Sequence, residues 1–160
     1  MKILGIDPGT TRAGYGLIEM KSFNSFEFLD CGLLEIVSKN KEERLAELGN
    51  SFEKLLKKEK PDAVALEKLF FMKNIKTGID VAQARGILVY LAAKNKIPIL
   101  EIAPSEVKSN ITGHGAADKK AVGKMVCRIL KIEKINGPDD VSDALAIAIA
   151  GSAYLKLTKL

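Results

Sequence analysis

Gly5-Ile6-Asp7-Pro8-Gly9-Thr10-Thr11-Arg12-Ala13-Gly14-Tyr15-Gly16 reads as strand, tight turn and second strand. A short apolar run ends on Asp7, and proline and glycine force the turn immediately after it. Gly14 and Gly16 strip one face of the second strand of side chains, so backbone or substrate can come close there. The plain alternative is a Pro-Gly hairpin with Asp7 as its turn residue. Working outward, the pattern predicts strands over 2–7, 13–20 and 26–37, the last two joined by a turn at Asn24-Ser25. An amphipathic helix over 41–60 carries Leu45, Leu48, Phe52, Leu55 and Leu56 on one stripe. A fourth strand over 62–67, a helix over 77–96 and a fifth strand over 97–102 follow, then helices over 104–111, 117–130 and 138–155. Strands joined by short turns pair antiparallel, and strands reached through helices pair parallel. The expected fold is α/β, a mixed five-stranded sheet flanked by helices on both faces, in one domain spanning 1–160.

The helix over 77–96 is apolar on almost every side (Ile79, Val81, Ala82, Ala84, Ile87, Leu88, Leu91, Ala92). Such a helix is covered all round, either within the chain or partly by a second copy. Cys31 and Cys127 have no metal-type spacing and read as buried reduced thiols of a cytoplasmic protein. The start of the chain lacks a signal-peptide pattern, and no apolar run reaches membrane-spanning length. With 1 His in the chain, a bound metal must take oxygen ligands. The net charge of +5 is carried by 108–134, where seven basic residues face two acidic ones. That imbalance suits an anionic partner such as nucleic acid, and equally a merely solvated lysine face.

Asp7 has counterparts. Glu67 ends the apolar run Asp62-Ala63-Val64-Ala65-Leu66-Glu67, and Asp140 and Asp143 lie three apart in Gly137-Pro138-Asp139-Asp140-Val141-Ser142-Asp143-Ala144-Leu145-Ala146-Ile147-Ala148. Proline and acidic residues suit a helix's first turn, which accounts for Asp139. Asp140 and Asp143 share a helix face, and capping explains Asp143 less well. Carboxylates at the ends of buried elements are costly unless compensated. Gathered from separate segments, these four make a site for hard divalent cations, and hence for phosphate chemistry.

These three acidic segments, with Val81-Ala82-Gln83-Ala84-Arg85-Gly86, resemble the RuvC Holliday-junction resolvases over essentially the whole chain. The resemblance implies a ribonuclease H-like fold and a homodimer. It also implies Mg²⁺-dependent cutting of four-way junctions in recombination and repair, with two ions per site and Mn²⁺ as a substitute. It assigns Asp7, Glu67, Asp140 and Asp143 as catalytic metal ligands. Phe70 matches an aromatic that stacks on or wedges between junction bases, a role that Phe71 can exchange with it. Lys108 and Lys119 match DNA contacts near the scissile phosphate. Lys73 and Asn74, in the loop after Glu67, are plausible backbone contacts. A branch-migration complex of RuvA and RuvB is an implied partner. His114, between two glycines, reads as a loop residue. Asp-x-Gly-Thr with a glycine-rich hairpin also marks the nucleotide-binding hairpin of the actin and sugar-kinase group. That alternative needs a second domain to close over nucleotide, for which 160 residues leave no room.

Overall fold

The computed structural model describes residues 1–9, 11–22, 24–69 and 75–157. Among them one sheet comprises β1 (Lys2–Pro8), β2 (Ala13–Ser22), β3 (Ser25–Leu33), β4 (Ala63–Glu67) and β5 (Ile99–Ile102). The strands lie in the order β3-β2-β1-β4-β5. The hairpin-linked pairs β1–β2 and β2–β3 are antiparallel, and β1–β4 and β4–β5 are parallel. The helices are α1 (Lys41–Glu59), α2 (Ile75–Lys94), α3 (Pro104–Thr112), α4 (Lys119–Leu130) and α5 (Asp139–Leu157). This is the expected mixed α/β sheet, and the two-residue period of its strands divides the core. Ile3, Ala63 and Ala65 pack with α3, α4 and α5, while Leu4, Ile6, Val64 and Leu66 pack with α1 and α2. By the same alternation Gly5, Asp7 and Glu67 turn towards the α5 side.

Several boundaries differ from the sequence reading. The third strand stops at Leu33; one more bond, from Leu34 N–H to the Ala13 carbonyl oxygen at 2.9 Å, uses the first residue of β2, and the ladder then has no further partner. The chain then crosses towards α1, where the Glu47 carboxylate accepts from the backbone N–H of Val37 (2.7 Å) and of Ser38 (3.0 Å). Helix α1 ends at Glu59 because Lys60 turns left-handed, with φ of 48°. Helix α4 begins at Lys119 rather than 117, since the Asp118 side chain caps it by accepting from Ala121 N–H at 2.7 Å. Cys31 and Cys127 are free thiols but only half-buried. No helix among the described residues is long and apolar enough to cross a membrane.

Helix α2 decides against one of its two alternatives, cover entirely within the chain. Ala84, Leu88, Leu91 and Ala92 are buried in the core, but the opposite stripe is open, with Ile79 52% and Tyr90 63% exposed. Ala82 and Gly86 lie exposed between them. The helix is thus covered on one side only.

Helix α5 is buried on nearly every side, with Val141 and the whole run Ala144–Ala150 in the core. It rests on backbone. A β carbon at Gly5 would stand 2.1 Å from the Ala144 carbonyl oxygen, and one at Gly14 2.1 Å from that of Asp140. The bare face of the hairpin therefore receives a helix, and that helix brings Asp140 and Asp143 to the strands that end on Asp7 and Glu67.

Candidate active site

Parallel pairing sets Ile6 beside Leu66, so Asp7 and Glu67 emerge next to each other at the carboxyl ends of adjacent strands. Open α/β sheets present their sites at such strand ends. Asp7, Glu67 and Asp143 line one cavity of about 250 Å³ together with Lys108 and Lys119. Its remaining wall is apolar: Pro104, Val107, Val122, Ala146 and Ile147. Asp140, one turn earlier on α5, does not line the cavity; its Oδ2 lies 3.1 Å from Arg12 Nη2. That oxygen is buried and makes no hydrogen bond among the described residues, so the contact with Arg12 is an ion pair of poor directionality. On Asp143, Oδ2 accepts from Lys119 Nζ at 2.9 Å.

The electrostatics are those of crowded acids. Burial, then repulsion from Asp143, Glu67 and Asp140, raises the Asp7 pKa to about 7, against a smaller downward pull from Lys119. Burial and Asp143 also raise Glu67, with Lys108 and Lys119 opposing. The hydrogen bond to Asp143 raises Lys119. Among the described residues no three acidic, His or Cys groups close on a common point as a formed metal shell. The donors nevertheless suit a hard cation. They are all carboxylate oxygens, one of them is buried without a hydrogen bond, and protein cations (Lys119 and Arg12) sit against two of the four acids.

A pH dependence follows. The folded-state pKa of Asp7 lies above the ordinary aspartate value of 3.8. Its contribution to stability is therefore complete below about pH 4 and is lost as pH rises through about 7. Without divalent metal, the thermal midpoint is expected to fall from pH 4 to 8 relative to Asp7→Asn, which lacks the titration. Mg²⁺ is expected to raise the midpoint more at pH 8 than at pH 5.5, where Asp7 must first release its proton. A constant difference between parent and variant across that range would contradict the assignment.

The Arg85 side chain, though quoted in the sequence, had no role there. Its Nε donates to the Glu67 carbonyl oxygen at 3.3 Å, and its guanidinium pairs with Glu101 of β5. Arg85 thus ties α2 to the strand end that carries Glu67. Replacement by Ala is expected to lower the cleavage rate roughly tenfold, in the range of lost supporting contacts at metal sites. The Mg²⁺ midpoint should rise and junction affinity stay unchanged. A fall in thermal stability with no change in the Mg²⁺ midpoint would make Arg85 a purely structural tie. Arg12, which pairs with Asp140, was likewise unassigned, because nothing in the spacing of the hairpin says which acid its arginine meets. His114 is exposed, and its Nδ1 accepts from Ala116 N–H at 3.1 Å, a contact within its own loop. Phe70, Phe71, Lys73 and Asn74 lie outside the described residues.

Sheet order, helices on both faces and carboxylates at the ends of β1 and β4 define the class: an α/β domain of ribonuclease H-like fold. The family model for crossover junction endodeoxyribonuclease RuvC matches residues 3–151. The chain belongs to the RuvC family. It is 45% identical over 152 residues to the crossover junction endodeoxyribonuclease RuvC of Thermosipho melanesiensis, covering 92% of this chain and 94% of that one. The protein of that name from Caldicellulosiruptor saccharolyticus is 43% identical over 150 residues, with 93% and 90% covered. The solved T. thermophilus RuvC in complex with Holliday junction substrate superposes with a TM-score of 0.91 at 30% identity, over 99% of this chain and 96% of that one. The yeast mitochondrial Holliday junction resolvase Ydc2 shares the fold, with a TM-score of 0.68 at 18% identity over 98% and 82%. Family membership sets aside the actin and sugar-kinase alternative.

Proposed function

We propose that this chain is a structure-selective endonuclease that resolves four-way DNA junctions during recombination and repair. It hydrolyses one phosphodiester bond in each of two strands, leaving 5′-phosphate and 3′-hydroxyl ends. One observation carries the reading. Three carboxylates from three elements meet two lysines in one cavity, in a chain matched by the RuvC family over 3–151.

Asp7, Glu67, Asp140 and Asp143 hold two Mg²⁺ ions, for which Mn²⁺ substitutes. When bound, such ions supply Lewis acidity and a water of lowered pKa. Lys108 and Lys119 neutralise the phosphate at the cavity mouth. Lys119 can exchange its bond to Asp143 for a phosphate oxygen, which frees Asp143. Pro104, Val107 and Val122 keep one side of the cavity apolar, which strengthens charge interactions within it. Phe70 wedges at junction bases, and Lys73 and Asn74 contact backbone. RuvA and RuvB are the expected branch-migration partners.

Two cuts need two sites, and a C2 homodimer supplies them with the symmetry of the junction. The open apolar stripe of α2 is its interface. Tyr90→Arg is expected to leave the fold intact and shift sedimentation at micromolar protein from dimer to monomer. An unaltered sedimentation coefficient would move the interface elsewhere.

The function is tested with a synthetic mobile four-way junction, a linear duplex control and parallel reactions lacking Mg²⁺. Paired symmetric nicks are expected in the junction alone, and only with Mg²⁺. Equal cutting of linear duplex, or cutting in EDTA, would refute it.

A further inference from the structure

A second cavity, about 540 Å³, opens between α4, the 131–138 connection and the first turn of α5. It is roughly twice the volume of the carboxylate cavity, and Lys119 lines both, so the two meet at that side chain. Lys120 and Lys124 of α4 and Lys134 of the connection also line it, against the acidic Glu133 and Asp139. Lys120 and Lys124 are four apart on one helix face, about one turn or 5–6 Å between β carbons. The core face of α4 is occupied by Val122, Val126 and Leu130, so the lysines are free to line the groove. All three are exposed, and none makes an ion pair among the described residues, whereas Lys119 is paired with Asp143.

A lysine face is often merely solvated. Three features separate this one from that case: it is concave, its positive charge exceeds the acid beside it, and it continues the reactive cavity. A strand whose phosphate lies between Lys108 and Lys119 has to leave the cavity, and Lys119 is the wall it passes. We propose that this groove carries the sugar–phosphate backbone of the strand being cut, with Lys120, Lys124 and Lys134 neutralising successive phosphates on one side of the scissile bond. The assignment rests on the junction-nuclease reading above. It names a path for the strand and residues outside the carboxylate cavity that set the length of DNA held.

Lys124→Gln/Lys134→Gln tests it, both positions being exposed and outside the cavity that holds the carboxylates. Each phosphate contact contributes about 0.9 to the slope of log affinity against log salt. The double variant is expected to lower that slope by about 1.8 and to weaken junction binding roughly tenfold or more at physiological salt. Junctions carrying single methylphosphonates supply the second measurement. Neutral linkages at successive positions on one side of the scissile bond are expected to weaken binding by the parent, and to weaken the double variant at fewer of those positions, since only Lys120 remains. If the parent binds and cuts junctions and the double variant keeps the parent's slope, the groove assignment is overturned and the junction reading stands. A variant that keeps the parent's methylphosphonate pattern overturns it too. A parent that does not distinguish junction from duplex sinks the junction reading, and the groove with it.

Discussion

Asp7→Asn is expected to abolish junction cutting and, at pH 8 without metal, to make the protein more stable. Both effects have one cause. The carboxylate is held at about pKa 7 by burial and by three acidic neighbours, so at pH 8 it is ionised at a cost that an amide does not carry. Asparagine has the same shape, and its NH₂ can donate to the neighbouring carboxylates. Removing the ligand between β1 and α5 is expected to lower the cleavage rate by about 10³-fold or more, about 4 kcal/mol of barrier. Junction binding is expected to hold or tighten, since one negative charge near phosphate has gone. Stability gained where activity is lost is the signature of a site strained for function. Cutting within tenfold of the parent in Mg²⁺, or a lower thermal midpoint at pH 8, would remove Asp7 from the centre of the site.

The sheet was legible because its signals are local. Alternation marks β1 and β4, Pro8-Gly9 marks the turn, and Asp139 marks the start of α5. The third strand was read four residues too long because nothing in Leu34–Val37 announces that its ladder partner has run out. Glu47, which takes over the N–H groups of Val37 and Ser38, lies ten residues further on. The carboxylates could be picked out as acids ending apolar runs. Their company could not, because Arg12 meets Asp140 and Arg85 meets the Glu67 carbonyl only through the packing of α5 and α2 on the sheet. Which stripe of α2 the chain leaves open was not legible in the pattern, for a related reason. Ile79 is as apolar as Leu88 and Leu91, and only the position of the sheet decides which of them is buried. The bare face formed by Gly14 and Gly16 was legible, but what fills it, helix or substrate, is decided more than seventy residues beyond β4, by α5.

That filling carries the second large effect. Gly14 pairs with Asp7 across β1–β2 and touches the Asp140 backbone from the α5 side. It thus lies between two of the four acids. A β carbon there would lie 2.1 Å from the Asp140 carbonyl oxygen and 2.4 Å from its carbon, and backbone cannot swing aside as a side chain would. The first turn of α5 must shift by about 1 Å, while Val141 and Ala144–Ala150 hold the rest of the helix in the core. A misplacement of that size costs about 10²-fold in rate where geometry governs the reaction. Gly14→Ala is therefore expected to remain folded, to bind junctions and to cut them about 10²-fold more slowly, with a higher Mg²⁺ midpoint. Gly5→Ala makes the contrast. Its β carbon would meet the Ala144 carbonyl oxygen at 2.1 Å and the Ala148 nitrogen at 2.6 Å, in the middle of the helix where no free end can yield. That variant is expected to lose thermal stability first and activity only as a consequence. If Gly14→Ala cuts at the parent's rate, the spacing between hairpin and helix does not set the geometry of the acids. If both variants lose stability alike, Gly14 belongs to the core rather than to the site.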